Sequence, residues 1–372
     1  MRLSLLTAIT LTTSLLAVEP ALTTSKIRSF PLEPGSAAIG LSYNRINNTI
    51  DIFDIKAKEL GSTANFGSIG DSSGIDLSLA YGINEYYGIF YNYQYLNLHY
   101  IDSALKNSQN DLSLKVTIYR NPTAFFETLT TDIGFIRNGG DDLDIKDTKQ
   151  LNKMIQKVNP IPGLSLDGSL IKYKDSTIKY YDPVTNKPIS PFVRIGDMQD
   201  NSFYIRMLTG FHYETNIVDL YTALKYTSID TTVSVEPDAI ASDLKSLGYD
   251  EVNLDRSEKT WSLGFNYTVE FYTLIFDFNY EYLHIWGRSD NIKKTEDNHI
   301  INSALSYIIN KDLLVFIGGK LMLNQFNGVI PYLYNKYTKN KYDKKYGYAK
   351  IGFVYNFDTS KLLSQLPTSQ SY

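Results

Sequence analysis

The chain has 372 residues and a mass of 42.3 kDa, enough for one large β domain or two ordinary ones. Its 36 Lys and Arg against 40 Asp and Glu leave a formal charge of −4, without the basic excess that nucleic-acid binding calls for. Cysteine is absent, which excludes disulfides, thiol catalysis, cysteine-ligated metals and a cysteine-linked lipid anchor.

Residues 1–17, MRLSLLTAITLTTSLLA, read as a secretory signal: one positive charge, then an apolar run too short to span a bilayer comfortably. Cleavage is expected after Ala17, with Ala21 as the alternative. No later run of roughly 18 apolar residues occurs, so no transmembrane helix is expected. Residues 18–35 contain Pro20, Pro31 and Pro34 and read as an irregular periplasmic lead-in.

From Ser36 onward the pattern has a period of two, the signature of strands. Ala37, Ile39, Leu41 and Tyr43 share one face of a first strand, which a polar stretch follows to about residue 71. Ile75, Leu77, Leu79, Tyr81 and Ile83 then alternate with Asp76, Ser78, Ala80 and Gly82. A tight turn at Asn84–Glu85 leads to Tyr87, Ile89, Tyr91, Tyr93 and Tyr95 on the outward face of a third strand. A short loop near 102–109 precedes a strand at 111–120, and Asn121-Pro122 turns the chain into a strand at about 125–137. Glu127 falls on the outward phase there, which a position near a membrane edge would explain.

The segment 138–200 is polar and too long to be an ordinary loop. Asp147–Val158 has helical spacing ended by Pro160, and 163–181 is suited to a hairpin. Joined to the main sheet, that hairpin would raise the strand count by two. The segment could fold inward as a constriction or form an outer binding surface. Its Gly139-Gly140-Asp141-Asp142-Leu143-Asp144 run offers oxygens for Ca²⁺, but the spacing is not that of an EF-hand, and a solvated acidic turn is the favoured reading. No metal and no cofactor is expected.

Further strands fall at about 202–214, 217–233, 259–271, 272–287, 299–309, 313–327 and 346–357, with a short helix suggested at 237–247. The clearest alternation sets Trp261, Leu263, Phe265, Tyr267, Val269 and Phe271 against Ser262, Gly264, Asn266, Thr268 and Glu270. Short turns near 84, 122, 215, 271 and 311 alternate with longer connections, as in membrane barrels with short periplasmic turns and long external loops. The fold class read here is all-β: a transmembrane antiparallel up-and-down barrel of about twelve strands, with fourteen as the alternative. The physical cause is backbone satisfaction, because a sheet edge open to hydrocarbon leaves N–H and C=O groups without partners. Tyr and Trp would form the interfacial girdles.

The last strand, YGYAKIGFVYNF over Tyr346–Phe357, places Lys350, Gly352, Tyr355 and Phe357 in an order that resembles the C-terminal assembly signal of bacterial outer-membrane β-barrels. The resemblance covers about a dozen residues and implies the outer membrane as location, with its lipids and the barrel-assembly machinery as partners. Domain limits follow: signal 1–17, lead-in 18–35, barrel 36–357 and a periplasmic tail 358–372. An autotransporter translocator is disfavoured, because the barrel starts almost directly after the signal.

On the lumen phase the sequence places Asp76, Lys115, Asp132, Arg206, Asp219, Lys225, Glu270, Asp277, Glu281, Lys320 and Lys350. Acids gather on the eighth and ninth strands, and Lys320 and Lys350 lie on the last two, so facing walls could set up a transverse field. The alternative is a network of pairs that fills the interior. Of the four histidines, His212 lacks the neighbouring serine of the outer-membrane phospholipase pattern, and His284 with Asp290 near an outer rim proves nothing by spacing. No catalytic residue is expected. The functional expectation is a porin-like channel for small polar or ionic solutes. The alternatives are a non-conducting structural or surface-binding barrel and, further off, a barrel hydrolase.

Overall fold

A computed structural model of the chain describes residues 28–46, 69–100, 103–121, 124, 126–145, 164–167, 170–173, 176–181, 184–189, 192–213, 215–236, 242, 245–246, 252–253, 255–286, 297–323 and 345–358. Twelve long strands form the wall: β1 (Ser36–Ile46), β2 (Ile69–Gly82), β3 (Tyr87–Tyr100), β4 (Ser103–Arg120), β5 (Thr128–Gly140) and β6 (Phe192–Tyr213). They continue with β7 (Asn216–Glu236), β8 (Arg256–Phe271), β9 (Leu274–Trp286), β10 (Asp297–Ile308), β11 (Leu313–Leu323) and β12 (Lys345–Asp358). Each pairs antiparallel with its chain neighbours, and β12 returns to β1 in a register running from Ser36↔Asp358 to Arg45↔Ala349. That last ladder closes the cylinder, so the wall has no open edge.

The pleat assigns every strand residue a side. Large apolar groups such as Leu41, Leu112, Phe135, Leu263, Ile317 and Ile351 are exposed on the outside. Their chain neighbours turn inward, where Ser42, Ser113, Thr260, Ser262 and Asn266 are buried. A soluble barrel would bury the first set and expose the second; here the polarity is inverted, as lipid outside requires. Inside, Ala38, Leu314, Phe316 and Val354 pack together along the β11–β12–β1 seam and secure the closure.

The two ends differ. At one, the connections are short, joining Gly82 to Tyr87, Arg120 to Thr128, Tyr213 to Asn216, Phe271 to Leu274 and Ile308 to Leu313. Two of them are stapled by asparagine: Asn84 Oδ1 accepts from the N–H groups of Tyr86 and Tyr87, and Asn310 Oδ1 from those of Asp312 and Leu313. Tyr272 adopts φ 56° to make the two-residue turn between β8 and β9.

Three expectations change. The loop expected at 102–109 is strand, since β3 and β4 stay paired out to Tyr100↔Ser103; polar residues alternating beyond the bilayer carry no hydrophobic signal. Glu127 lies in the turn before β5, its N–H donating to the carbonyl of Gly210, so it is not on the lipid-facing phase. The hairpin at 163–181 does not join the barrel: Leu164–Asp167, Leu170–Tyr173, Ser176–Tyr181 and Pro188–Ile189 make a separate four-stranded antiparallel sheet, and the wall keeps twelve strands. The expected helix at 147–158 lies outside the described residues, whereas Ser242, Lys245 and Ser246 of the expected 237–247 helix are helical.

The strands β6 and β7 run to 22 and 21 residues and stay paired from Tyr213↔Asn216 to Phe192↔Glu236. At ~3.3 Å per residue this is roughly 70 Å of extended chain, far more than a bilayer crossing uses. The excess stands beyond the long-loop rim. Leu143–Ile145 pairs with β6 there, and Val252–Asn253 with β7. Arg194 braces this extension with contacts to Asp144 at 2.9 Å, Glu236 at 3.8 Å and Asp142 at 3.9 Å. The acidic run at 139–144 thus supplies partners for an arginine, and the described residues hold no cluster of three or more potential metal ligands.

Candidate functional site: a polar lumen with an occupied mouth

The eleven charged residues expected on the lumen phase all sit on the inward side of their strands, and none is exposed. They divide into three groups, Glu270 belonging to the third beside Arg28, His212 and Asp277. Asp132 and Arg206, opposite each other on β5 and β6, form an ion pair at 3.3 Å, with Asp132 0% exposed. Tyr204 and Tyr221 flank the Arg206 guanidinium with ring centroids at 5.3 and 5.5 Å. Both rings are buried inside the barrel, 3% and 2% exposed, and so belong to the filling of the lumen, not to the interfacial girdle. Tyr204 lies against Gly134, where a Cβ would come within 2.4 Å of its ring.

The second group lies higher. Asp76 accepts from Asn44 Nδ2 at 2.7 Å, from Gln94 Nε2 at 2.8 Å and from Ser42 Oγ at 3.3 Å. Lys320 is within electrostatic reach of Glu281, Lys350, Asp76 and Lys225, and the Lys350 ammonium sits 5.5 Å from the Phe316 ring centre. Between these groups runs a cavity of about 310 Å³, lined by Asp76, Asp111, Arg206, Asp277 and Lys350 among many amides and hydroxyls. Both signs of charge face it. Of the two arrangements the sequence left open, facing walls of opposite charge or a network of pairs, the cavity lining shows acids and bases interleaved.

The third group closes the short-turn mouth. Residues 28–33, which have no regular secondary structure, enter the cylinder ahead of β1. Ser29 is 0% exposed: its N–H and Oγ both donate to Asp219 Oδ1, at 2.9 and 2.7 Å. Thr128 donates to Ser29 Oγ at 2.8 Å and Thr130 to the Ser29 carbonyl. The Lys115 ammonium donates to the Arg28 carbonyl. Arg28, 8% exposed, donates to Thr268 Oγ1 at 3.2 Å and pairs with Asp277 at 3.4 Å. Phe30 meets His212 edge-on at 6.4 Å. Gly210 makes the room, because a Cβ there would stand 2.0 Å from Ser29 Oγ and 2.9 Å from the Phe30 ring. Sequence reasoning missed Arg28 and Ser29. Nothing in their neighbourhood marks them, since their partners come from β4, β5, β7, β8 and β9.

On β12, Lys350 and Gly352 face inward, while Tyr355 and Phe357 face outward with ring centres 6.2 Å apart. His284 and Asp297 approach at 2.9 Å at the long-loop rim; the Asp290 considered beside His284 lies outside the described residues.

A closed up-and-down cylinder, apolar outside and polar inside, with short turns at one end and extended hairpins at the other, is the architecture of an outer-membrane-type β-barrel. No family model matches the sequence, and no curated protein matches it. Among solved structures, the translocator domain of the autotransporter NalP from Neisseria meningitidis is similar over 95% of this chain and 96% of its own, with 8% identity and a TM-score of 0.44. The β domain of the Bordetella autotransporter BrkA is similar over 86% of this chain and 98% of its own, at 7% identity and a TM-score of 0.41. The P. putida toluene transporter TodX is similar over 90% and 93%, at 9% identity and a TM-score of 0.39.

Proposed function

We propose that the protein is a channel of the bacterial outer membrane that passes small polar or ionic solutes. The short-turn mouth, with the wall's first and last residues Ser36 and Asp358, then faces the periplasm, and the extended hairpins face outward. The observation that carries this reading is the polar cavity of about 310 Å³ inside a wall whose outer surface is apolar. A barrel needed only to hold loops has no use for an internal cavity lined by carboxylates, amides and cations. Lipid contacts the wall, and the assembly machinery receives β12 as the closing strand.

Conductance in planar bilayers tests the proposal. Discrete openings with the folded protein support it; baseline current after the mouth has been freed of residues 28–33 refutes it. One observation favours the non-conducting alternative: the β6–β7 extension and the small sheet at 164–189 offer a surface beyond the rim. A hydrolytic role is not proposed, since the His284–Asp297 couple lies on the outward side of the wall and His212 packs against Phe30. Lipid and peptide hydrolysis that is lost in His212→Ala or His284→Ala would reverse that.

A further inference from the structure

We infer that residues 28–33 are a gate, and that the Arg28 guanidinium is a tethered cation standing in the place a cationic solute takes when the gate withdraws. The inference rests on the channel reading and names the class of solute the channel selects.

The mouth around the strap is acidic without it. Asp219, Glu270 and Asp277 face the strap, and the cations that meet them are Lys115, Arg28 and, across the cavity from Asp277, Lys350; His212 also faces Glu270. With Arg28 gone, three carboxylates remain against two ammoniums, Lys115 and Lys350, an acidic excess that favours cations in a confined space with low-dielectric walls. Glu270 adds an independent sign: one of its carboxylate oxygens is buried and lacks a hydrogen-bond partner among the described residues.

The strap is held by side-chain contacts a withdrawal can reverse. Ser29 is gripped through Asp219, Thr128 and Thr130. Arg28 is held less well: its Asp277 contact is long at 3.4 Å, and its Nε is buried without a hydrogen-bond partner among the described residues. Such an imperfect fit suits a displaceable group. A small guanidinium or primary ammonium solute presents the same charge and donors to Asp277, Thr268 and Glu270, and so competes with Arg28 for them.

The test uses the absence of cysteine in this chain. In full-length Ser29→Cys/Thr128→Cys the two side chains that touch at 2.8 Å become a disulfide under oxidation. Planar-bilayer currents are expected to vanish in the oxidised protein and return on reduction. Arg28→Ala is expected to raise the open-to-closed ratio about tenfold, the equivalent of ~1.4 kcal/mol. Its reversal potential in a KCl gradient is expected to show K⁺ preference, and millimolar guanidinium chloride is expected to lower its K⁺ current. Equal currents before and after a crosslink confirmed by mass would overturn the gate while leaving the channel reading in place. Chloride preference in Arg28→Ala would overturn the cation site. Silence of the reduced and Arg28→Ala proteins, with position 29 of the reduced double variant freely labelled by a thiol reagent, would remove the channel reading itself.

Discussion

The inverted polarity of the wall makes one substitution decisive: Ile351→Arg. Ile351 lies mid-strand on β12, between Tyr43 of β1 and Ile317 of β11, and is 59% exposed on the outer surface. In a water-soluble barrel, replacing so open an isoleucine with arginine changes stability by no more than about 0.5 kcal/mol. In a bilayer the guanidinium must sit near the midplane, which costs about 2–4 kcal/mol in a barrel wall. The cost must also fall with depth. Tyr307, 50% exposed and next to the last residue of β10 at the short-turn end, is the control, where arginine costs about 0–1 kcal/mol. The assay is reversible urea unfolding in thin lipid vesicles, followed by tryptophan fluorescence and by the shift in gel mobility between folded and unfolded barrel. A penalty at 351 well above that at 307 is expected. Equal penalties at the two positions, or none at 351, would show that the outer face does not meet hydrocarbon, and the proposed location would fall with it.

Other predictions follow from the interior and the rim. Gly210→Val sets a side chain where Ser29 and Phe30 pack, so the strap is expelled while the wall closes; trypsin, which spares buried Arg28 in the native protein, then cuts after it, with folded gel mobility retained. Asp132→Ala leaves the Arg206 guanidinium buried without its carboxylate and is expected to cost about 3–5 kcal/mol, whereas Asp132→Ala/Arg206→Met recovers most of that loss in the same unfolding assay. Arg194→Ala breaks contacts that are well exposed to solvent, so global stability falls by less than ~1 kcal/mol. Amide exchange at 143–145 nevertheless rises sharply, because that short strand hangs from β6 beside Arg194.

How the residues partition between wall and lumen was legible because the pleat turns sequence parity into a side. Ile75 and Asp76 need no tertiary knowledge to be sent outward and inward. The same rule sent Tyr204 and Tyr221 inside, where they are buried, and it was tyrosine as a residue type that wrongly suggested the girdle. Parity lost only the tops of β3, β4, β6 and β7, because strand ends standing in water on both faces have no apolar half to alternate.

By itself, then, the amino-acid order determined the strand phase, the barrel class, the asymmetry of the two ends and the identity of the inward charges. All of these depend on near neighbours along the chain, through the period of two and the local chemistry of turns. Only the tertiary structure decided which charges meet, that 164–189 folds apart from the wall, and that Arg28 and Ser29 occupy the mouth. Those outcomes depend on closure, which brings Asp219 within 2.9 Å of a residue 190 positions away. No local pattern encodes a contact between groups that share only the inside of a cylinder.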